Sequence, residues 1–265
     1  MLRTPAPLSR ALGVMVISFD QHAHLAATEL RDLCGGHSVA LLSEKPSKEL
    51  TFLGSGFCIS YREDTYLVTA SHVAKEANGV LYLGKSGFRQ FRGAGHMTEW
   101  EGDDHYDIAA MPIDSALLSQ VGAAPVDIDK NRGAVDFPTG FHVAIGYPIS
   151  KNKIGKAIRI GDQRINAQCY TVLTYQAKID YETYGRNPTD HIALKYDDAI
   201  DKNHNPTNAI SLRGFSGAPL WATRDKYSTS QPLLVGLLTH YIPNTRVAFC
   251  TRIGCIRDFI DANYA

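Results

Sequence analysis

Three short segments carry side chains that could act together in covalent catalysis: Thr69-Ala70-Ser71-His72-Val73-Ala74, Tyr106-Asp107-Ile108-Ala109 and Gly214-Phe215-Ser216-Gly217-Ala218-Pro219. A serine hydroxyl is a poor nucleophile near neutral pH. It needs a base to take its proton and a third group to fix the tautomer of that base. Ser216, His72 and Asp107 supply these three residue types, in the chain order His, Asp, Ser. His72 would take the hydroxyl proton and later return it to a leaving amine. Asp107 would hold the other imidazole nitrogen and stabilise the imidazolium. Asp103 and Asp104 compete for that role, but Ile108-Ala109-Ala110-Met111 follows Asp107 directly and draws its carboxylate inward. Gly214 and Gly217 bracket Ser216, allowing a tight turn whose backbone N–H groups converge on one point. Each segment alone also has a plain reading: a histidine on a rim, an aspartate on a surface turn, a Gly-Ser turn. The set of three, in this order, is what points to acyl transfer.

The elements around these residues read as mostly β. Runs at 39–42, 52–61, 65–69, 80–83, 87–91 and 108–113 are rich in strand formers and separated by turn signals. A second series follows at 141–145, 156–160, 168–177, 191–195, 209–212, 233–239 and 246–250. That spacing predicts barrels or sandwiches. Before them, Ala23, Ala26, Leu30, Leu33 and Cys34 form one helical stripe over 22–34, and Gly35-Gly36 stops it. Between 115 and 140, Gly122, Pro125, Asp127, Asp129, Gly133 and Pro138 predict a loop-like connection, and the polar stretch 197–208 an exposed loop. A closing helix starts after Thr251 as its N-cap, with Ile253, Ile256, Phe259 and Ile260 on one face.

Composition narrows the function classes. Lys+Arg and Asp+Glu are both 27, so the formal net charge is zero and no long-range field favours nucleic acid or an anionic membrane. No apolar run approaches the ~20 residues needed to span a bilayer. The stretch 11–19 behind Arg3 and Arg10 resembles a short signal peptide, but Asp20 closes it without a clean cleavage site. The five cysteines, Cys34, Cys58, Cys169, Cys250 and Cys255, read as reduced core residues, which favours a cytoplasmic location over a secreted one. No CxxC or HExxH is present, and His22-Ala23-His24 reads as a solvated helix face, so no metal or other cofactor is expected. A Gly-x-Ser-x-Gly elbow is excluded by Ala218.

With these residues in view, the chain resembles the chymotrypsin/trypsin-like serine peptidases, and more closely their bacterial members. The resemblance lies in Gly54-Ser55-Gly56-Phe57-Cys58-Ile59 leading into Tyr66–His72, in Asp107-Ile108-Ala109, in Gly214–Pro219, and in Leu234-Val235-Gly236-Leu237-Leu238-Thr239, taken as the strand after the nucleophile. It implies an all-β fold of two perpendicular six-stranded barrels with an N-terminal helical extension (1–37), a peptidase domain (38–265), and a C-terminal helix. Barrel one would run over about 38–115, the connection over about 116–140 and barrel two over about 141–265. It implies a serine endopeptidase acting on polypeptides, with the N–H groups of Gly214 and Ser216 as oxyanion hole and Ile210, Thr239, His240 and Tyr241 lining the substrate pocket. The alternative is a silent peptidase fold used for binding or as a scaffold. Four departures matter. Val73 stands where secreted members carry a bridging cysteine. Phe215 replaces an aspartate that pairs with a freed N-terminus. Ile210 stands where Arg/Lys specificity needs an aspartate, and His240 and Tyr241 stand where small or planar residues usually leave the pocket entrance open. Uncharged, small or medium residues before the cleaved bond are therefore expected. If activity is gated, an activating protein partner or ligand is expected rather than a zymogen cut.

Overall fold

The computed structural model describes residues 19–47, 49–77, 81–85, 88–92, 95–98, 105–129, 142–152, 167–200, 206–207, 211–223, 229 and 231–264. Helix α1 (Phe19–Cys34) leads, and a short 3-10 turn at Gly35–His37 joins it to the first sheet. That sheet is built from β1 (Ser38–Glu44), β2 (Leu50–Tyr61) and β3 (Asp64–Ala70). Helix α2 (Ser71–Glu76) comes next, and then β4 (Leu81–Gly84), β5 (Phe88–Phe91), β6 (His96–Met97) and β7 (Ile108–Pro112). Helix α3 (Ser115–Val121) and β8 (Val126–Asp127) begin the crossing to the second sheet. This holds β9 (His142–Gly146), β10 (Tyr170–Gln176), β11 (His191–Ile200), β12 (Pro206–Thr207), β13 (Pro219–Ala222), β14 (Leu233–Ile242) and β15 (Val247–Arg252), and α4 (Ile253–Tyr264) closes the fold.

The second sheet runs β10-β9-β13-β14-β15-β11, and β11 pairs back onto β10, so six strands close into a barrel with β12 appended. The first sheet runs β5-β4-β1-β2-β3-β7-β6, with β8 parallel to β2; it curls without a closing pair among the described residues. Strand alternation explains the packing. Cys58 and Leu67 point into the first sheet's interior, while Phe57, Ile59, Tyr66 and Val68 point out of it. Ala144 faces the interior of the closed barrel, and Val143 and Ile145 face outward. The two outward sets meet in one shared core, completed by Trp221, Leu234, Leu237, Ile253, Ile256 and Ile260. Strands covered on both faces read as continuous apolar runs, which is why β2, β3 and β14 were legible as strands.

Several expectations need correction. Along α1 the buried residues are Ala23, Ala26, Ala27, Leu30 and Cys34, and Leu33 is 56% exposed. It lies roughly 80° round the helix from the centre of that face, and Ala27 takes its place. The connection expected to be loop-like contains α3: the Asp114 side chain accepts from Ala116 N at 2.7 Å, and Gly122 caps the other end at φ 73°. Gly122 is thus a helix stop. Thr251 is no N-cap; it is fully buried inside β15. Nor is 211–212 strand, whereas β13, directly after the turn that holds Ser216, is. Residues 156–160, 209–210, 103–104 and the side chains of His22 and His24 lie outside the described residues.

Candidate active site

Strand β3 ends at Ala70, and His72 falls in the first turn of α2 rather than on the strand itself. Helix starts leave free backbone N–H groups, and here Asp107 takes two of them. Its carbonyl accepts from Ser71 N at 3.1 Å and its Oδ1 from His72 N at 3.0 Å. Its Oδ2 lies 2.7 Å from His72 Nδ1. An ionised carboxylate only accepts, so Nδ1 carries the hydrogen and the Nε2 lone pair is left to act as a base. The Asp107 side chain is 2% exposed and that of His72 31%, an acid sealed inside and an imidazole that reaches solvent. Asp107 sits at φ 49°, a left-handed backbone uncommon outside glycine.

The second barrel holds that strained segment. Thr251 Oγ1 donates to Tyr106 O at 2.6 Å, and His191 Nε2 to His105 O at 2.5 Å. Arg186 donates to the same carbonyl of His105. His191 and Thr251 are register partners on β11 and β15, so one rung of that ladder grips two consecutive carbonyls just ahead of Asp107. Burial holds the His191 imidazole below its ordinary value, against the pull of the His105 carbonyl bond.

Ser216 lies in a turn between two left-handed glycines, Gly214 at φ 96° and Gly217 at φ 88°. A Cβ on Gly217 would lie 1.9 Å from Ser55 O, and one on Gly214 2.7 Å from Ile149 N, so only glycine fits either position. The turn's carbonyls are fixed. Ile149 N donates to Arg213 O at 2.9 Å, and Ala218 N to Phe215 O at 2.8 Å. In a planar trans peptide the N–H points opposite to the C=O. The N–H groups of Gly214 and Ser216 are therefore both aimed away from those anchors, and neither has an acceptor among the described residues.

Ser55 on β2 ties this turn to the first sheet. Its N–H donates to Ser216 O at 2.9 Å and its Oγ to Gly214 O at 2.7 Å. The same Oγ accepts from Tyr147 N at 2.9 Å, and Thr69 Oγ1 donates to Ser55 O at 2.7 Å. Beside it, a Cβ on Gly54 would meet Ser216 O at 2.8 Å and Val73 Cγ2 at 3.0 Å, so the Ser216 main chain and His72's neighbour pack on one glycine.

A profile of the trypsin-like peptidase domain matches residues 54–227, more than half of the chain. The chain belongs to the trypsin-like peptidase family. Solved structures of similar fold include the active form of the Rv3671c protease from M. tuberculosis. That match has 16% identity and a TM-score of 0.50, covering 99% of this chain and 95% of that one. A serine endoprotease from Yersinia pestis is similar at 15% identity and a TM-score of 0.50, over 93% of this chain and 66% of that one. The protein GrC is similar at 14% identity and a TM-score of 0.52, over 86% and 93%. No curated protein matches the chain at a significant level. At these identities the structural likeness concerns the fold.

The residues expected to line the pocket are placed unevenly. Ile210 lies outside the described residues. Thr239 is buried, and its hydroxyl donates to Phe249 O at 3.2 Å. Tyr241 is half-buried, its ring edge-on to Tyr196 at 5.1 Å. His240 is exposed as a residue, yet protein packed round its ring is the first cause of its lowered pKa; the Arg186 charge adds to it, and Asp107 opposes. Ser55, Ile149, His191 and Thr251 were not singled out as site residues from sequence. Ser55 alone carried a signal: Gly-Ser-Gly inside an apolar strand marks a close backbone approach. Among the described residues, no group of three or more His, Cys, Asp or Glu is placed to hold a metal ion, and no helix is long and apolar enough to cross a membrane.

Proposed function

We propose that the chain is a serine endopeptidase with His72, Asp107 and Ser216 as its catalytic residues. The observation that carries this reading is the sealed Asp107 bonded to His72 Nδ1 at 2.7 Å, beneath an imidazole that is partly open to solvent. Ser216 Oγ attacks the scissile carbonyl carbon while His72 Nε2 takes its proton. The oxyanion that forms accepts from the N–H groups of Gly214 and Ser216; one such donor is typically worth ~3–4 kcal/mol of barrier. The C–N bond then breaks as His72 protonates the leaving amine, leaving an ester on Ser216. Water, deprotonated by His72, attacks that ester, and Ser216 leaves with the proton. No step uses a cofactor. The fixed carbonyls of Arg213 and Phe215 weigh against a silent scaffold, because a misformed oxyanion hole requires one of those peptides to turn over.

The substrate is a polypeptide with a small or medium uncharged residue before the cleaved bond, in keeping with half-buried Tyr241 packed on Tyr196. Activation by a freed N-terminus is disfavoured. Phe215 is fully buried in the second barrel's core, and an unpaired ammonium beside it would cost several kcal/mol. Ser38, at the corresponding junction, is already locked at the start of β1, with its Oγ donating to Ile145 O at 3.2 Å. A cytoplasmic location, and a partner or ligand as the means of any gating, complete the reading.

A serine-directed fluorophosphonate applied to the intact chain should label Ser216, and mass spectrometry should find peptides cleaved by it but not by Ser216→Ala. Labelling at another serine would overturn the assignment, and labelling of Ser216 only in a product that begins near residue 38 would overturn activity without a cut.

A further inference from the structure

Residues 147–152 form a strap behind Gly214. Its first residue is anchored in the core: Tyr147 is fully buried, its N–H donates to Ser55 Oγ at 2.9 Å and its hydroxyl to Ser38 O at 3.2 Å. The last is Asn152, 7% exposed, with three bonds from its side-chain amide. Nδ2 donates to Pro148 O at 3.0 Å and to Gln168 O at 2.9 Å, while Oδ1 accepts from Gln168 N at 2.7 Å. Its main-chain N–H also returns to Pro148 O at 3.1 Å. Between the two anchors, Ile149 N holds the Arg213 carbonyl at 2.9 Å.

We propose that Asn152 is a positioning residue for the oxyanion hole. By tying Pro148 to Gln168 it holds the Ile149 N–H against Arg213 C=O, and so keeps the Gly214 N–H turned away from the strap and free to donate to a substrate oxyanion. The inference rests on the serine peptidase reading and extends it. The 213–214 peptide needs an external brace, because Gly214 at φ 96° has no Cβ to restrict it. Phe215 offers no charge for an ion pair that could organise the turn. Asparagine suits the place because one carbonyl and one NH2 group answer an N–H and two C=O groups together. Aspartate, nearly the same shape, would face those two carbonyls with a carboxylate and donate nothing.

The test compares Asn152→Ala and the near-isosteric Asn152→Asp with the wild-type full chain. Hydrogen exchange followed residue by residue should show the Ile149 amide protected in the wild type. In both variants it should exchange at least ~10-fold faster, while β14 and β15 keep their protection. On peptide substrate, kcat should fall by ~10- to 10²-fold, short of the ~10²–10³ lost with a whole oxyanion donor, with KM moved by less than about twofold. Fluorophosphonate labelling should slow in parallel with kcat. Unchanged Ile149 exchange, or a lowered Tm with kcat within about twofold, would overturn the proposal and leave Asn152 a structural staple. A wild type inert to fluorophosphonate would instead count against the peptidase reading, and Ile149 exchange would still decide whether Asn152 holds the peptide.

Discussion

Asp107 gives both carboxylate oxygens to one residue, Oδ1 to the His72 main chain and Oδ2 to its ring. The main-chain bond sets where the ring sits and the side-chain bond sets how it is turned. Asp107→Asn can keep the first and spoils the second, so turnover should fall ~10⁴-fold through the wrong tautomer. Ser216→Ala and His72→Ala should each lose ~10⁴–10⁶, and the double variant should be barely slower than either, because the residues act as a unit. Additive losses in steady-state kinetics would show that they do not. A second residue-scale expectation lies away from the cleft. His142 is buried, its Nδ1 has no hydrogen-bond partner among the described residues, and burial pushes its pKa from 6.5 down to about 4. The folded state therefore resists protonation that the unfolded chain accepts. Its contribution is complete above pH 6.5 and is lost as pH falls from 6.5 toward 4, on the order of 3 kcal/mol in all. Urea unfolding at pH 7 and pH 4 should show His142→Leu losing less stability than the wild type; an equal loss would show that another group is responsible.

At the scale of elements, the Ser216 turn is held as much by the first sheet as by its own barrel. Ser55→Ala would strand two buried main-chain groups, Gly214 O and Tyr147 N, at about 1–3 kcal/mol each, and should lower both the urea midpoint and kcat. Gly217→Ala cannot be accommodated, because its Cβ would fall 1.9 Å from Ser55 O. Labelling of Ser216 should be lost in that variant, and a normally reactive variant would mean that the turn can shift away from Ser55. This scale also marks the limit of what the sequence discloses. The strands at 52–61 and 65–69 were legible because both faces are apolar, and Asp107 was legible because an apolar strand follows it. The grip of His191 and Thr251 on residues 105 and 106 was not, since it joins side chains 86 and 145 positions away from their acceptors. Hydroxyls and imidazoles reaching for main-chain carbonyls leave no periodicity to read. Helix α3 escaped notice for a different reason: its N-cap Asp114 and stop Gly122 are the same residue types that make turns.

Across the whole molecule, the five cysteines are free, with Cys34, Cys58 and Cys250 buried and Cys169 and Cys255 half-buried. Burial pushes the thiols of Cys34, Cys58 and Cys169 up to about 12 and that of Cys255 to about 11. Almost none is thiolate at neutral pH, and reaction needs the thiolate. The native protein should consume thiol reagent slowly, the unfolded but unreduced chain should titrate close to five thiols, and reductant should leave peptidase activity unchanged. Two disulfides in natively purified protein would contradict this. The expectation of reduced cysteines came from an odd count and from Val73; the structure adds burial, which disfavours the thiolate.

The rung formed by His191 and Thr251 has a further consequence for anyone who divides this protein. Asp107 belongs to the first half by chain connectivity, but the backbone that presents it is held by the second. A fragment ending in the crossing after α3 would carry His72 and Asp107 without the donors that keep residues 105 and 106 in place, and its complement would carry Ser216 without Ser55. Neither piece should react with a fluorophosphonate alone, and mixing should restore labelling only as the halves dock. Cut there, the protein would behave as a two-part reporter with a dark background, each half completing the other's chemistry.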